Sequence, residues 1–126
     1  MNETQTDLEI GIGTKESISL QPATVKIENA EIEKVGDKGN EILKCSVKHP
    51  EKEELIKISE AKYENKDGKL VISALWVNKD DDGLLRKGST LAVFLNSQGA
   101  KTPKELIGKE VETLLDEKGY LAFKAY

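Results

Sequence analysis

Several runs between residues 22 and 77 alternate apolar and polar positions with the period of two that is typical of β-strands. The clearest is 41–49, where Leu43, Cys45 and Val47 fall on one face and polar side chains fall on the other. Short segments rich in Gly, Asn and Asp separate these runs, as expected of turns. The pattern therefore predicts a meander of strands.

Two of these runs change phase by one residue part-way along. Val25 and Ile27 alternate with polar residues, but Ala30 continues the alternation one position out of step, and a similar shift occurs near Ser59. Such a slip is what a β-bulge produces, and bulges bend the strands of barrels. By contrast, the run 69–77 is apolar on both faces, which predicts a strand buried at the centre of the sheet.

The segment 88–99 is the one strongly helical stretch of the chain. Ser89 can cap its N-terminus, an apolar stripe that includes Phe94 recurs at helical spacing, and Gly99 ends it. The pattern predicts one principal α-helix.

A second helical signal and a hairpin follow the helix. Residues 102–105 have capping-box spacing with a proline at the first helical position, which predicts a short helical turn. The runs 111–115 and 121–125 then alternate as strands, and 116–119 reads as the hairpin turn between them.

The order of these elements predicts the fold. A helix between a strand meander and a closing hairpin is the order of the OB-fold, a small five-stranded Greek-key barrel. We therefore expect a mainly β domain over 21–126, preceded by a flexible acidic arm over 1–20.

Charge gives little support to a polyanion ligand. The net charge is −4, of which the first twenty residues contribute −3, so the remainder is close to balanced. With 33% charged and 37% hydrophobic residues, the chain is typical of a globular protein that has no global basic field.

Chemistry that would need a catalytic or metal site is not expected. His49, next to a proline, is the only histidine and is read as a surface residue, and Cys45 is in phase with apolar neighbours. The acidic loop 78–83 matches only the first half of a calcium loop. We predict no enzymatic activity, no cofactor and no metal.

The single cysteine and the lack of long apolar runs predict a cytoplasmic protein without a membrane contact.

Lysines and aromatic residues on the outward positions of the predicted strands could form a binding face, because lysines track phosphates while bases stack on aromatic rings. Plain solvation of these lysines is an equally good explanation, and Trp76 fits the core somewhat better than a stacking platform. The candidate nucleic-acid-binding residues are Lys44, Lys57, Lys62, Tyr63, Trp76, Arg86, Lys87, Tyr120, Lys124 and Tyr126.

The C-terminal third of the chain, residues 86–126, resembles OB-fold single-stranded DNA-binding-type proteins of phages, archaeal viruses and archaea. The resemblance is carried by Gly88-Ser89-Thr90-Leu91, Phe94-Leu95, Gly99, Pro103-Lys104-Glu105-Leu106-Ile107-Gly108-Lys109-Glu110-Val111 and Gly119-Tyr120-Leu121-Ala122-Phe123. It implies a barrel and a ligand that is single-stranded DNA.

Two functions remain open. The first is binding of single-stranded nucleic acid with little sequence preference. The second is a protein–protein interaction or assembly module, as in a viral or replication-associated accessory protein, which would dock a partner through the acidic arm or an exposed strand edge. The oligomeric state cannot be read from the sequence.

Overall fold

A computed structural model describes residues 20–126. The predicted arm, apart from Leu20, lies outside the described residues. The strands are β1 Thr24–Val35, β2 Asn40–Lys48, β3 Ile56–Ile58, β4 Glu60–Glu64, β5 Leu70–Ala74, β6 Glu110–Leu115 and β7 Leu121–Ala125, with helix α1 Thr90–Ser97 and a 3₁₀ helix Pro103–Leu106.

The strands form one mixed sheet in the order β3-β2-β1-β6-β7-β4-β5. All neighbours are antiparallel except β4 and β7, which are parallel. The prediction of a mainly β fold with one principal helix is confirmed over the described residues. The expected five strands closed into a barrel are corrected to seven strands in a sheet that, within residues 20–126, is not closed into a barrel, because no ladder joins the edge strands β3 and β5.

The sheet bends where the sequence changes phase. The register of β1 against β2 shifts between Ile27 and Asn29, as the first slip predicted. At the second slip, Ser59 alone separates β3 from β4, although these strands occupy the first and sixth places in the sheet order. One residue therefore divides into two strands what the alternation predicted as a single strand.

The segment after β5 returns to β2. Leu43 donates its backbone N–H to the carbonyl of Leu75 at 2.9 Å, and Val77 donates to the carbonyl of Glu41 at 2.9 Å. These bonds tie the β4–β5 hairpin to the opposite side of the sheet.

The inner face of the sheet and helix α1 enclose the core. Phe94 of the helix stacks on Phe123 of β7 with ring centroids 4.6 Å apart, and burial of two aromatic rings is a large hydrophobic contribution. Cys45 is fully buried, and this burial raises the pKa of its thiol to about 12, so it is an inert core residue as predicted.

Helix α1 begins and ends as predicted. The hydroxyl of Ser89 accepts the backbone N–H of Ala92 at 3.2 Å, and Gly99 adopts a φ of +69° just after the helix. The 3₁₀ helix also forms, but Thr102 makes no side-chain cap there, and Glu105 instead accepts the backbone N–H of Lys101.

Two expectations about burial are wrong. Strand β5 lies at an edge of the sheet rather than at its centre, and its Leu70 is 46% exposed. His49 is fully buried rather than on the surface. Its Nε2 donates to the carbonyl of Gln21 at 2.8 Å, and its Nδ1 accepts the backbone N–H of Glu51 at 3.0 Å. The imidazole therefore ties the approach to β1 to the β2–β3 loop.

Candidate functional site

A groove of about 920 Å³ lies against β3, β4, β5 and the β6–β7 turn, and we call it the main groove. It brings together three candidate residues that are well separated along the chain, Lys57, Lys62 and Tyr120. Its lining residues are Lys57, Ile58, Ser59, Glu60, Lys62, Leu70, Val71, Ile72, Leu115, Asp116, Glu117, Lys118, Tyr120 and Leu121.

The walls of the main groove are mixed in character. Leu70 and Leu115 are substantially exposed apolar side chains, and Tyr120 is 63% exposed. Lys57 and Lys62 supply positive charge beside them. An apolar and aromatic surface edged by lysines suits a ligand that has flat rings and phosphates.

The β6–β7 turn presents Tyr120 at the groove. Asp116 donates its backbone N–H to the carbonyl of Tyr120 at 2.7 Å, and its carboxylate accepts the backbone N–H groups of Lys118 and Tyr120 at 2.8 and 2.9 Å. Gly119 has a φ of +88°, which a side chain at this position would strain. These hydrogen bonds within the turn hold the backbone of Tyr120 in one conformation beside the groove.

A carboxyl pair, Glu60 and Asp116, lines the same groove. Burial, followed by the hydrogen bond with Asp116 and repulsion from its charge, raises the pKa of Glu60 to about 7, while Lys118 acts in the opposite direction. The hydrogen bond with Glu60 and those from the turn backbone lower the pKa of Asp116. Asp116 is therefore the ionised member of the pair and Glu60 the member that holds the proton.

A different arrangement surrounds Glu33 of β1. Its carboxylate lies 3.1 Å from Lys44 Nζ and 3.6 Å from Lys57 Nζ. The hydrogen bond and charge of Lys44, with a smaller effect of Lys57, hold the pKa of Glu33 below its usual range. Lys44 thus connects to the main groove only through Glu33 and Lys57, and its charge is shared with a carboxylate.

Lys124 and Tyr126 extend the face beyond Lys62. Lys62 and Lys124 are register partners on the parallel strands β4 and β7, so they lie side by side. The ammonium group of Lys124 lies 5.1 Å from the centroid of the Tyr126 ring, a cation–π distance. Tyr126 is 54% exposed, so its ring remains accessible.

The structure places the other four candidates elsewhere. Tyr63 points to the opposite side of β4 from Lys62 and packs against the core, and with Lys87 it lines a separate groove near the start of α1. Arg86 is exposed in the preceding turn. Trp76 is 37% exposed and lines a third groove beside Glu41, so the core reading of Trp76 is wrong.

Four charged residues of the main groove were missed by reasoning from the sequence: Glu60, Asp116, Glu117 and Lys118. Asp116 and Lys118 were read only as turn residues, although a turn next to an outward aromatic residue is a signal for a presented loop. Glu60 directly follows Ser59, where the alternation changes phase. That change predicted a bend in the strand, but it did not predict that the Glu60 side chain would lie next to Asp116.

Neither helix of the described region has the length and apolar character needed to traverse a lipid bilayer. Among residues 20–126, no three His, Cys, Asp or Glu side chains are grouped so that they could ligate a metal ion. Comparison with known proteins finds no matching family model, no matching curated protein and no matching solved structure.

Proposed function

We propose that this protein binds single-stranded nucleic acid in the main groove, without catalysis and with little sequence preference. The observation that carries the proposal is the convergence of Lys57, Lys62 and Tyr120 on one groove. Lysines supply phosphate contacts and an accessible ring supplies a stacking surface, and neither type of contact reads a particular base.

The same proposal includes an OB-like order of strands, in a sheet that stays open because no ladder joins β3 and β5 within residues 20–126. Residues 56–64 can be treated as one strand that is bent at Ser59, so that β3 and β4 are its two halves. The sheet order then becomes a ring of five strands, which are β1, β2, the 56–64 strand, β7 and β6, and β5 is a sixth strand attached to β4. The OB-fold is a partly open five-stranded Greek-key barrel that binds oligonucleotides on its second and third strands and on the loop between its last two strands. In this chain those are β2, the 56–64 strand and the β6–β7 turn, the last two of which line the main groove.

Fluorescence anisotropy with a labelled single-stranded oligonucleotide tests the proposal. We expect binding at low salt that weakens steeply as salt rises, because phosphate contacts release counterions. Tyr120→Leu should weaken binding about tenfold, within the range for loss of one stacked base. Trp76→Leu is the matched control, since it removes an exposed aromatic ring from a different groove, and it should change binding less than twofold, a ratio worth about 0.4 kcal/mol.

Two results would overturn the proposal. One is an absence of binding by the unmodified protein at low salt. The other is an equal loss of affinity in Tyr120→Leu and Trp76→Leu, which would place the ligand outside the main groove.

A second candidate function rests on the free edge of β5. Among residues 20–126, this strand pairs only with β4 over Leu70–Ala74, and exposed Leu70 adjoins its unpaired backbone, so an extended segment of a partner protein could add to the sheet there. Ile72→Pro would remove a backbone donor from the free edge, because the hydrogen bonds between β4 and β5 are made by the alternate residues, as at Lys69 and Leu75. Loss of a partner complex with retained oligonucleotide binding would favour this function for the β5 edge.

A further inference from the structure

The charged side chains that line the main groove balance one another. Three lysines face three carboxyl groups, one of which belongs to Glu60. When Glu60 is ionised the lining is neutral, and when Glu60 carries a proton the lining has a net charge of +1. A single proton therefore decides whether the lining that a polyanion meets is neutral or positive.

Glu60 is placed so that its ionisation is costly. Its Oε2 atom is buried and accepts no hydrogen bond from an N–H or hydroxyl group in the described part of the chain, and a buried ionised oxygen without a donor is strongly disfavoured. Its carboxyl group also meets that of Asp116, whose charge the turn backbone already stabilises. Two carboxylates in contact do not ionise together without repulsion.

Lysines near Glu60 act against this effect, and Lys118 lowers the pKa of Glu60 without cancelling the rise. Strand β5 and helix α1, which both pack against β4, carry no ionisable side chain. The charged groups that face Glu60 from the remaining elements, including its own strand, are Lys57, Lys62, Asp116, Glu117, Lys118 and Lys124.

We propose that the main groove takes up a proton at the Glu60–Asp116 carboxyl pair when it binds single-stranded nucleic acid, so that affinity rises as the pH falls from 8 to 6. This inference rests on the proposed function of the groove. The pKa of about 7 for Glu60 places the transition in that interval. The one histidine, His49, is buried against Gln21 and Glu51 and does not line the groove.

The test measures binding of labelled oligothymidylate at pH 6 and pH 8 at fixed low salt, because thymine does not titrate between these values. We expect the unmodified protein to bind about fivefold more tightly at pH 6, less than the tenfold per pH unit that full linkage to one proton allows. Glu60→Gln mimics the protonated carboxyl group, so its affinity should be the same at both pH values and equal to that of the unmodified protein at pH 6.

Glu117→Gln is the matched control, because it removes one negative charge from the same groove and leaves the carboxyl pair intact. This variant should bind more tightly at both pH values and keep the fivefold ratio. The inference is overturned if Glu60→Gln keeps that ratio, or if the unmodified protein binds equally at pH 6 and pH 8. Absence of binding at both pH values would instead overturn the proposed function.

A carbon-13 NMR titration of the side-chain carboxyl groups in the free protein examines the pair separately from binding. We expect the Glu60 resonance to titrate with a midpoint near 7, and Asp116→Asn to move that midpoint downward by removing the neighbouring charge. A Glu60 midpoint near that of an exposed glutamate would overturn the inference even if the protein binds oligonucleotides.

Discussion

Glu33 and Glu60 are two glutamates with lysines close by on one sheet, but the groups that touch them differ. Glu33 is flanked by Lys44 and Lys57, and its pKa is lowered. Glu60 is partly buried against Asp116, and its pKa is raised. The first carboxylate is a permanent counter-charge, whereas the charge of the second depends on pH.

The number of lysines on a surface therefore does not measure the electrostatic field at a bound ligand. Around Glu33, part of the positive charge is already neutralised by an ion pair. In the main groove, Lys62 lies beside a carboxyl group that can be neutral, so its charge is available to a phosphate. Four variants test the difference between the two glutamates.

The largest effect on oligonucleotide affinity is expected at Lys62, with Lys44 as the comparison. Lys62→Gln should weaken oligonucleotide binding about tenfold, within the range for loss of one close charge contact, whereas Lys44→Gln should weaken it less than twofold because Glu33 shares its charge. Anisotropy at several salt concentrations gives a second measure. The slope of log K against log salt should fall by about 0.7 for Lys62→Gln, as expected for one phosphate contact to a single strand. Equal slopes in the two variants would contradict the comparison.

A smaller effect is expected at Glu33. Glu33→Gln frees Lys44 and Lys57 from their counter-charge and should tighten binding about threefold. The ratio of affinities at pH 6 and pH 8 should stay as in the unmodified protein, because the carboxyl pair is intact. If this variant abolished the pH dependence, Glu33 rather than Glu60 would be the group that controls the groove.

The smallest effect concerns stability, and the two glutamates should act with opposite signs. The folded pKa of Glu60 lies above its value of 4.5 in a free chain, so the folded protein binds more protons and loses stability as the pH rises from 4.5 through 7. The folded pKa of Glu33 is lowered, so its contribution is present at neutral pH and is lost as the pH falls below the unfolded value.

Urea unfolding at pH 5 and pH 8 measures this difference. Glu60→Gln should raise the free energy of unfolding relative to the unmodified protein by about 0.5 kcal/mol at pH 8, after allowance for solvent screening. The gain should shrink at pH 5. Glu33→Gln should lower the free energy of unfolding at pH 8 and matter less in acid. If both variants changed the free energy of unfolding in the same direction at pH 8, the two glutamates would not have opposite effects on stability.

Local patterns in the sequence predicted local structure well. Alternation identified β2 with Leu43, Cys45 and Val47 inside, because burial of one face imposes a period of two. Ser89 and Gly99 bounded α1 because caps act within one turn of chain. These features depend on neighbours along the chain, which the sequence displays directly.

The site was predicted only in part, because its members meet through long-range pairing. Lys62 and Tyr63 were grouped as candidates although adjacent strand residues point to opposite faces, a distinction that the period of two already contained. The contact of Glu60 with Asp116 depends on β4 pairing in parallel with β7, and no local signal specifies that neighbour. The edge position of β5 depends on the same pairing, because β5 pairs with β4 and β4 pairs with β7.

The pairing of β1 with β6 has a consequence for how the chain folds. Thr113 of β6 donates its hydroxyl to the carbonyl of Ala23, 90 residues earlier, and the two strands pair along Thr24–Lys26. The chain loses the entropy of closing this long loop before the stabilising contacts between β1 and β6 form. Folding should therefore be slow for a domain of this size, on the order of milliseconds to seconds. During synthesis on the ribosome, the β6-facing edge of β1 has no partner until β6 has emerged.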